Sequence, residues 1–492
     1  MGKKRTGGRL SEFTKDELIA ELARRRALEL PEDFTMTDVE LAVAQMHGEE
    51  GPPKLAAMLS RMKPEKPTAK SCPRCGKRIP VKARDRERTV RSLAGPVTFR
   101  RNYHYCKDCE YGFYPVDQLL GLPEEGELTA EMEKRVLDFA VNSPFEHIAE
   151  RWSVHYPTPV SANLARRVLS RVGVLCEEAD ELELQQALLP EPAQPSSLLI
   201  VQADGSMLPL RERERWKEAK VAVIVRGENH ARRRRQRRGH VSQARYIAVL
   251  GDQDEFAHSL RQALAVKKAA QATTVAWLGD GAPENWTLAD GLTHGNCVQI
   301  LDAQHAIENG MKAGRALLGE QSLMLPLWQR RIEQLLYAGN PEQLISEVLD
   351  CIVDADDEQL AALDDLVRYY RANATRMLYR DYIERGLPIG SGMVESAHRH
   401  VLQIRMKLAG QHWSLAGARR MTRLRAAYRT AGPRSFHAAI RSVRRLSAVT
   451  APRVGLALCV GQTRDTYTRQ RASRNATTGV PLPPKFRRKA SN

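Results

Sequence analysis

Three acids at separated points of the chain have the types and settings to do chemistry: Asp204 in "LLIVQADGSM", Asp280 in "TTVAWLGDGA" and Glu395 in "GSGMVESAHRH". Asp204 and Asp280 each close an apolar, β-rich run and each precede glycine. Alone, Asp-Gly is an ordinary turn signal, and Asp290-Gly291 is a third case nearby. The elements that must carry these acids change that reading. Runs at 198–204, "KEAKVAVIV" and "ARYIAVLG" predict a three-strand meander. A helix, a strand at 273–279, a helix and a strand at 296–301 follow. In a mixed sheet so connected, the first strand and the strand after the first helix are neighbours, and acids at their matching ends meet. A helix entered after the fifth strand would bring Glu395 to the same place. Three carboxylates so close repel unless cations compensate, and hard oxygen ligands suit two Mg²⁺ or Mn²⁺ ions. Such a pair activates a water or sugar hydroxyl for in-line attack on a phosphodiester and stabilises the leaving oxygen.

Charge points to a matching substrate. Of 76 basic and 59 acidic residues, 21 basic and a single acid, Asp465, fall in the 97 residues after Glu395. The body up to Glu395 is therefore near neutral at −3 and the remainder carries +20, the asymmetry of a protein that meets a polyanion, nucleic acid above all. A solvated basic face is the plain alternative. No apolar run reaches the roughly 20 residues of a membrane span, and "MGKKRTGGRLSEF" has no apolar signal region, so a cytoplasmic location and no membrane partner are expected.

Four of the eight cysteines form two CxxC pairs, Cys72 with Cys75 and Cys106 with Cys109, separated by 30 residues. Each pair presents two thiolates to one tetrahedral Zn²⁺, and the intervening "TVRSLAGPVTFRRNYHY" predicts a hairpin turning near Gly95 and Pro96, as in a zinc ribbon. A redox CxxC or a disulfide pair is the competing reading. Helical periodicity at 128–190 predicts three helices, the last starting near Thr158 or Ser161 and carrying Arg166, Arg167 and Arg171. They form either a helix-turn-helix that reads DNA or a plain packing unit. "ARRRRQRRGH" places Arg232, Arg233, Arg234, Arg235, Arg237 and Arg238 in a loop between the second and third strands, where they clamp phosphates or stay solvated. His398 and Arg399, three and four residues after Glu395, share or adjoin its helical face and are candidate contacts to the scissile strand. Arg405 and Lys407 in the basic stretch beyond are further candidate DNA contacts. Trp286, six residues after Asp280, reads as packing or as a wedge beside a DNA end.

The ordered set "ADGSMLPL…WKEAKVAV", "LGDGAPENW", "ILDAQHAIE" and "GSGMVESAHRHVLQIRMKLAGQHWS" resembles the DDE transposases of bacterial insertion sequences, specifically the Kra-type group, whose core is similar to that of Mutator-like transposases. The resemblance covers about 200–429. It implies a multidomain α/β protein: an RNase H-like mixed-sheet core, an all-helical insertion before the glutamate, and a preceding zinc ribbon and helical DNA-binding region. The divisions expected are a helical region 1–65, the ribbon 66–124, a helical candidate helix-turn-helix domain 125–190, and the core's first part 196–302. An insertion 303–386, the rest of the core with Glu395 and basic helices 387–450, and a basic tail 451–492 complete the chain. By position Asp204, Asp280 and Glu395 match the catalytic, metal-holding acids. Asp302 and His305 match an Asp-x-x-His motif with a positioning or DNA-contacting part; an N-cap and a first-turn polar residue are the plain alternatives. Ala303 stands where the family often has an aromatic residue. The implied activity is strand cleavage and transfer on an element's terminal inverted repeats and target DNA, by a homo-oligomer of two or more chains. A DNA-binding regulator without catalysis and a structure-specific nuclease on the same core are the alternatives.

Overall fold

The computed structural model describes Thr14 and residues 51–56, 68–120, 122, 126–156, 158–212, 215–232, 239–351 and 355–450. Most of the helical region expected at 1–65, and the tail 451–492, lie outside the described residues.

The cysteine-bearing module comes first. Strands β1 (Lys70–Ser71) and β2 (Arg78–Ile79) pair across the first CxxC, and β3 (Val81–Ser92), β4 (Gly95–Cys106) and β5 (Tyr111–Phe113) form an antiparallel sheet. The β3–β4 turn is Leu93–Ala94, just ahead of the expected Gly95, with Ser92 paired to Gly95. Arg88, buried in β3, donates to Asp117 at 2.8 Å and to the Gly126 carbonyl at 3.0 Å, tying the hairpin to the chain that follows.

Helices Ala130–Asn142, Phe145–Ser153, Ala162–Glu178 and Glu181–Leu188 come next. Thr129, Ser161 and Asp180 cap three of them by accepting backbone N–H groups of the first turn. In Ala162–Glu178, Leu164, Ala165, Val168, Leu169, Val172 and Cys176 form one buried stripe at helical spacing. That stripe packs against the helical segment Leu415–Thr450, two helices joined by a kink at Gly432, so these helices share a core with it.

Five strands build the central sheet: β6 (Leu198–Pro209), β7 (Trp216–Arg226), β10 (Arg245–Val249), β11 (Thr274–Gly279) and β12 (Cys297–Leu301). Their order is β10-β7-β6-β11-β12, with β7 antiparallel to both neighbours and β11 and β12 parallel to β6. This is the expected meander followed by β-α-β, with helices Gln253–Val266 and Pro283–Leu292 as the crossovers. Two details differ. β6 continues five residues beyond Asp204, because Gly205–Pro209 stay paired with β7 as a two-stranded arm after β11 has ended. The segment expected as a loop between β7 and β10 contains a small ribbon, β8 (His230–Arg232) with β9 (Gly239–Val241).

Alternation along β7 shows how the sheet is covered. Val221, Val223 and Val225 face a core shared with the helices at 130–188, 392–406 and 415–443; Ala222 and Ile224 face the opposite core. Each such fully buried aliphatic side chain contributes about 1.5–3 kcal/mol. The second core includes helices Ala303–Leu318, Leu325–Ala338, Pro341–Asp350, Asp357–Asn373 and Tyr379–Glu384. The single helix expected from Val394 to about Leu408 is three pieces: Gly392–Ala397, a π-helical turn His398–Gln403, and Ile404–Met406. No helix of the described residues is long and apolar enough to cross a membrane.

Candidate functional site

Parallel pairing brings the ends of β6 and β11 to the same edge of the sheet: its last pair is Gln202 with Leu278, two residues short of Asp204 and Asp280. Asp204 Oδ1 accepts from the Gly205 amide at 2.7 Å, and Oδ2 lies 3.2 Å from Nε2 of His398, itself 7% exposed. Neither His398 ring nitrogen is aligned for a hydrogen bond, so this is a close contact rather than a directed bond. Burial acts to raise the Asp204 carboxyl, but His398, the Gly205 amide and the more distant His305 outweigh it and hold it below its ordinary value. Asp280 Oδ1 accepts from the Ala282 amide at 3.1 Å, and its main-chain carbonyl accepts the Tyr369 hydroxyl at 3.0 Å. Gly281 has φ +105, and a Cβ there would stand 2.9 Å from the Tyr369 ring, so both the conformation and the close approach require glycine.

Gln202, on the same face of β6 as Asp204, docks the segment bearing Glu395. Its Nε2 donates to the Gly390 carbonyl at 2.9 Å, while Oε1 accepts the Met393 and Val394 amides at 3.1 and 3.0 Å. Asp302, at the end of β12, closes the other side. Its Oδ2 accepts the Ser391 amide, its Oδ1 caps Ala303–Leu318 by accepting the His305 amide at 2.9 Å, and the Ala303 amide donates to the Ile389 carbonyl at 2.9 Å. The N-cap reading of Asp302 therefore holds, with the added clamp on Ser391. His305 Nδ1 is 3.4 Å from Asp302 Oδ1. Against the opposing effect of burial, bonds from His305 and Ser391 draw Asp302 down to about 2. Asp302 first, against the opposing effect of burial, and then Asp280 and Glu308 raise His305 to about 9. Glu395 is exposed, and its Oε1 accepts from Ser391 Oγ at 3.1 Å.

The π turn after Glu395 has its own support. Arg425, fully buried, donates to the carbonyls of Val401, His400 and Val141, with no carboxylate partner among the described residues. It thus binds the Glu395 helix to the helix Ala130–Asn142.

The cysteines form the tighter cluster. One Sγ from each of Cys72, Cys75, Cys106 and Cys109 lies within 4.8 Å of the others, and among the described residues no other group of three or more His, Cys, Asp or Glu is so close. Asp204, Asp280 and Glu395 are more widely spaced. At the first knuckle Cys72 accepts from the Gly76 amide at 2.9 Å and donates its own to Lys77 at 2.8 Å; Gly76 has φ +75. Hydrogen bonding to Cys75, then burial and the other thiols, push Cys109 up to about 12, the cost of ionising one thiol beside three others. Four sulfurs on two knuckles fit tetrahedral Zn²⁺.

A family model matches residues 30–438, most of the chain. The protein belongs to UPF0236, an uncharacterised protein family. No curated protein matches it. Among solved structures, the Drosophila P element transposase strand transfer complex aligns with 74% of this chain and 90% of that chain at 9% identity. Its TM-score of 0.24 adds nothing to the fold described above.

The remaining expected residues are scattered. Arg399 is exposed beside Glu395 and lines a cavity with it. Arg405 is fully buried, stacked between Phe145 and Trp413 and bonded to the Ala140 carbonyl, which puts it out of reach of DNA. Lys407 donates to Ser206 Oγ at 2.7 Å. Arg232 ends β8, and Arg233, Arg234, Arg235, Arg237 and Arg238 lie outside the described residues. Trp286 is buried beneath the Arg376 guanidinium, a packing role rather than a wedge. Arg167 pairs with Glu127 at 3.2 Å and Arg171 with Glu133. Gln202, Ser391, Tyr369 and Arg425 were missed. Only Gln202 left a signal, as the one polar residue before the acid in "LLIVQAD".

Proposed function

We propose that this protein is a DNA transposase of the DDE kind, which cleaves strands at the ends of its own mobile element and joins them to target DNA. One observation carries the reading. The parallel pairing of β6 with β11 brings Asp204 and Asp280 to the same edge of the sheet, and the strand residue two places before Asp204 binds the helix that bears Glu395. The strand order β10-β7-β6-β11-β12, with β7 alone reversed, supports an RNase H-like core. The helices between β12 and Glu395 support an insertion that braces the strand ends, since Tyr369 and Tyr379 bond the carbonyls of Asp280 and Leu301.

The donors at this centre are carboxylate oxygens, which fit hard divalent cations, and Asp204, Asp280 and Glu395 would hold them. With Mg²⁺ or Mn²⁺ bound there, the chemistry supplied is activation of a water or 3′-hydroxyl for in-line attack on the phosphodiester. The chain's own part is positioning. Gln202 and Asp302 hold the Glu395 segment to the sheet, and His398 keeps Asp204 ionised and oriented before substrate arrives. The basic stretch after Glu395 keeps the polyanion over the acids. The cysteine module would hold one structural Zn²⁺. Assembly as a dimer or larger, in the cytoplasm, completes the proposal.

The test is cleavage and strand transfer on DNA carrying the repeats that flank the gene, with Mg²⁺. Asp204→Ala, Asp280→Ala and Glu395→Gln should each abolish both steps and leave binding intact. Normal Mg²⁺-dependent activity in Glu395→Gln would sink the assignment. Binding without cleavage by the unaltered protein would point to a regulator, and cleavage without strand transfer to a nuclease.

A further inference from the structure

A cavity of about 760 Å³ opens beside Glu395, on the side of the sheet away from Asp280. Val223 of β7, Tyr246 of β10, Val241 of β9 and Met393 form apolar and aromatic walls, while Arg399 and His400 contribute charge and hydrogen-bonding capacity. Glu395 stands at its edge, and neither Asp204 nor Asp280 lines it. The sheet order makes this a continuation of the acid site. Asp280 leaves β11, Asp204 sits on β6, and the cavity starts at Gln202 of β6 and extends over β7 and β10, the next two strands in line. Two strand spacings separate β6 from β10, about 10 Å.

At the rim two guanidinium groups, Arg399 and Arg429, stand against the one Glu395 carboxylate, and Arg399 is exposed. Arg429 is exposed and donates to the His400 carbonyl at 3.3 Å. Burial first, then the charges of Arg429, Arg399 and Arg425, hold the His400 imidazole below its ordinary value. A ligand that fits is flat and largely apolar at one end, to lie against Tyr246 and Met393, and anionic at the other. A nucleotide has this form, and sites that receive single bases combine aromatic walls with cations in this way. An acidic peptide would satisfy the rim but leave the apolar walls uncovered.

We infer that this cavity receives one unstacked nucleotide of the bound strand, next to the phosphate that faces Asp204 and Glu395. The inference rests on the nucleic-acid reading above and adds to it where the strand leaves the duplex stack. Its consequence is that substrates with an unpaired base beside the cleavage point bind and react better than fully paired ones, since unstacking has already been done.

Photocrosslinking of the full-length protein in Mg²⁺-free buffer tests it. The probe is a duplex with a single-stranded tail carrying 5-iodouracil at each tail position in turn, and crosslinked residues are read by mass spectrometry. Crosslinks to Tyr246 or Met393 from one tail position are expected. Ser396 is exposed and lines the cavity, so Ser396→Trp fills it without touching the core. That variant should cut the Tyr246 crosslink about tenfold, the loss of one stacked base, while overall DNA affinity changes less than about twofold. Ser396→Ala should leave the yield unchanged. If DNA binds but the crosslinks fall outside the cavity, or persist in Ser396→Trp, the cavity assignment is wrong and the transposase reading stands. If the unaltered protein binds no DNA, both fall.

Discussion

Gln202 Oε1 accepts the Val394 amide at 3.0 Å, so the residue two places before Asp204 is bonded to the residue immediately before Glu395. The two acids are thereby set relative to one another through a single buried side chain rather than through the length of chain between them. Gln202→Met keeps the volume and removes both the acceptor and the donor. The Met393 amide then loses the Gln202 acceptor and the Val394 amide keeps only its bond to the Ser391 carbonyl, and a destabilisation of about 1–3 kcal/mol is expected in denaturant unfolding. Strand cleavage should fall further than the folded population does, by roughly 100-fold, because displacement of a catalytic group by about 1 Å has that cost. Cleavage at the unaltered rate in Gln202→Met would remove the link between this bond and catalysis.

Asp302 and His305 make folding stability depend on pH in two directions. The carboxyl of Asp302 is lowered to about 2, so its contribution is present above the ordinary carboxylate value near about 4 and is lost as pH falls toward 2. The imidazole of His305 is raised to about 9, so its contribution is full below its unfolded value near about 6.5 and fades as pH rises through 9. Both are complete between about pH 4 and 6.5. Asp302→Asn keeps an N-cap acceptor but loses the charge. Its stability deficit should be largest in that window and shrink above it, as measured by urea unfolding at a series of pH values. A deficit that does not change from pH 5 to pH 9.5 would show that the cap alone matters.

The strands were legible because β6, β7, β10, β11 and β12 are buried and write themselves as apolar runs. Their order followed from the connectivity, and with it the parallel pairing of β6 with β11 that Asp204 and Asp280 follow. The docking of Glu395 was not legible. The Gln202 bonds to the Glu395 segment span 188 to 192 residues of chain, and nothing local marks such a partner. Arginine misled for a related reason. Arg405 and Arg425 look like surface charge, yet both are buried on main-chain carbonyls, an arrangement that exists only after the helices have packed. The π turn at 398–403 escaped because six residues are too few to separate its period from that of an α-helix.

The cysteine module has too small a core to fold on apolar burial. Cys72, Ile79, Cys106 and Phe113 are its buried cluster, and two of the four are proposed zinc ligands. The protein should carry one equivalent of zinc per chain, read by elemental analysis. Chelation or Cys106→Ser should open the segment 70–113 to protease while the central sheet resists, since structural zinc supplies the folding energy of such units. Equal protease resistance in metal-free protein would overturn the ribbon.

Arg425 sets two large effects against each other. Burial lowers its affinity for a proton, and among the described residues no carboxylate offsets the cost of keeping a guanidinium in the core. Against this stand the carbonyls of His400, Val401 and Val141, of which the first two belong to the π turn. A π turn breaks the regular i to i+4 ladder, and buried carbonyls left without donors cost about 1–3 kcal/mol each. The His400 carbonyl keeps the Arg429 guanidinium, but with those of Val401 and Val141 at stake the bonds outweigh the buried charge, and Arg425→Met should lower stability by about 2 kcal/mol or more. Arg425→Lys should lose nearly as much, because one ammonium cannot match the guanidinium fork across two helices. His398 lies in the same turn, so cleavage should drop in both variants at temperatures where they remain folded. Denaturant unfolding beside a cleavage assay reads the two effects separately, and a more stable Arg425→Met protein would mean that charge burial dominates and the π turn supports itself.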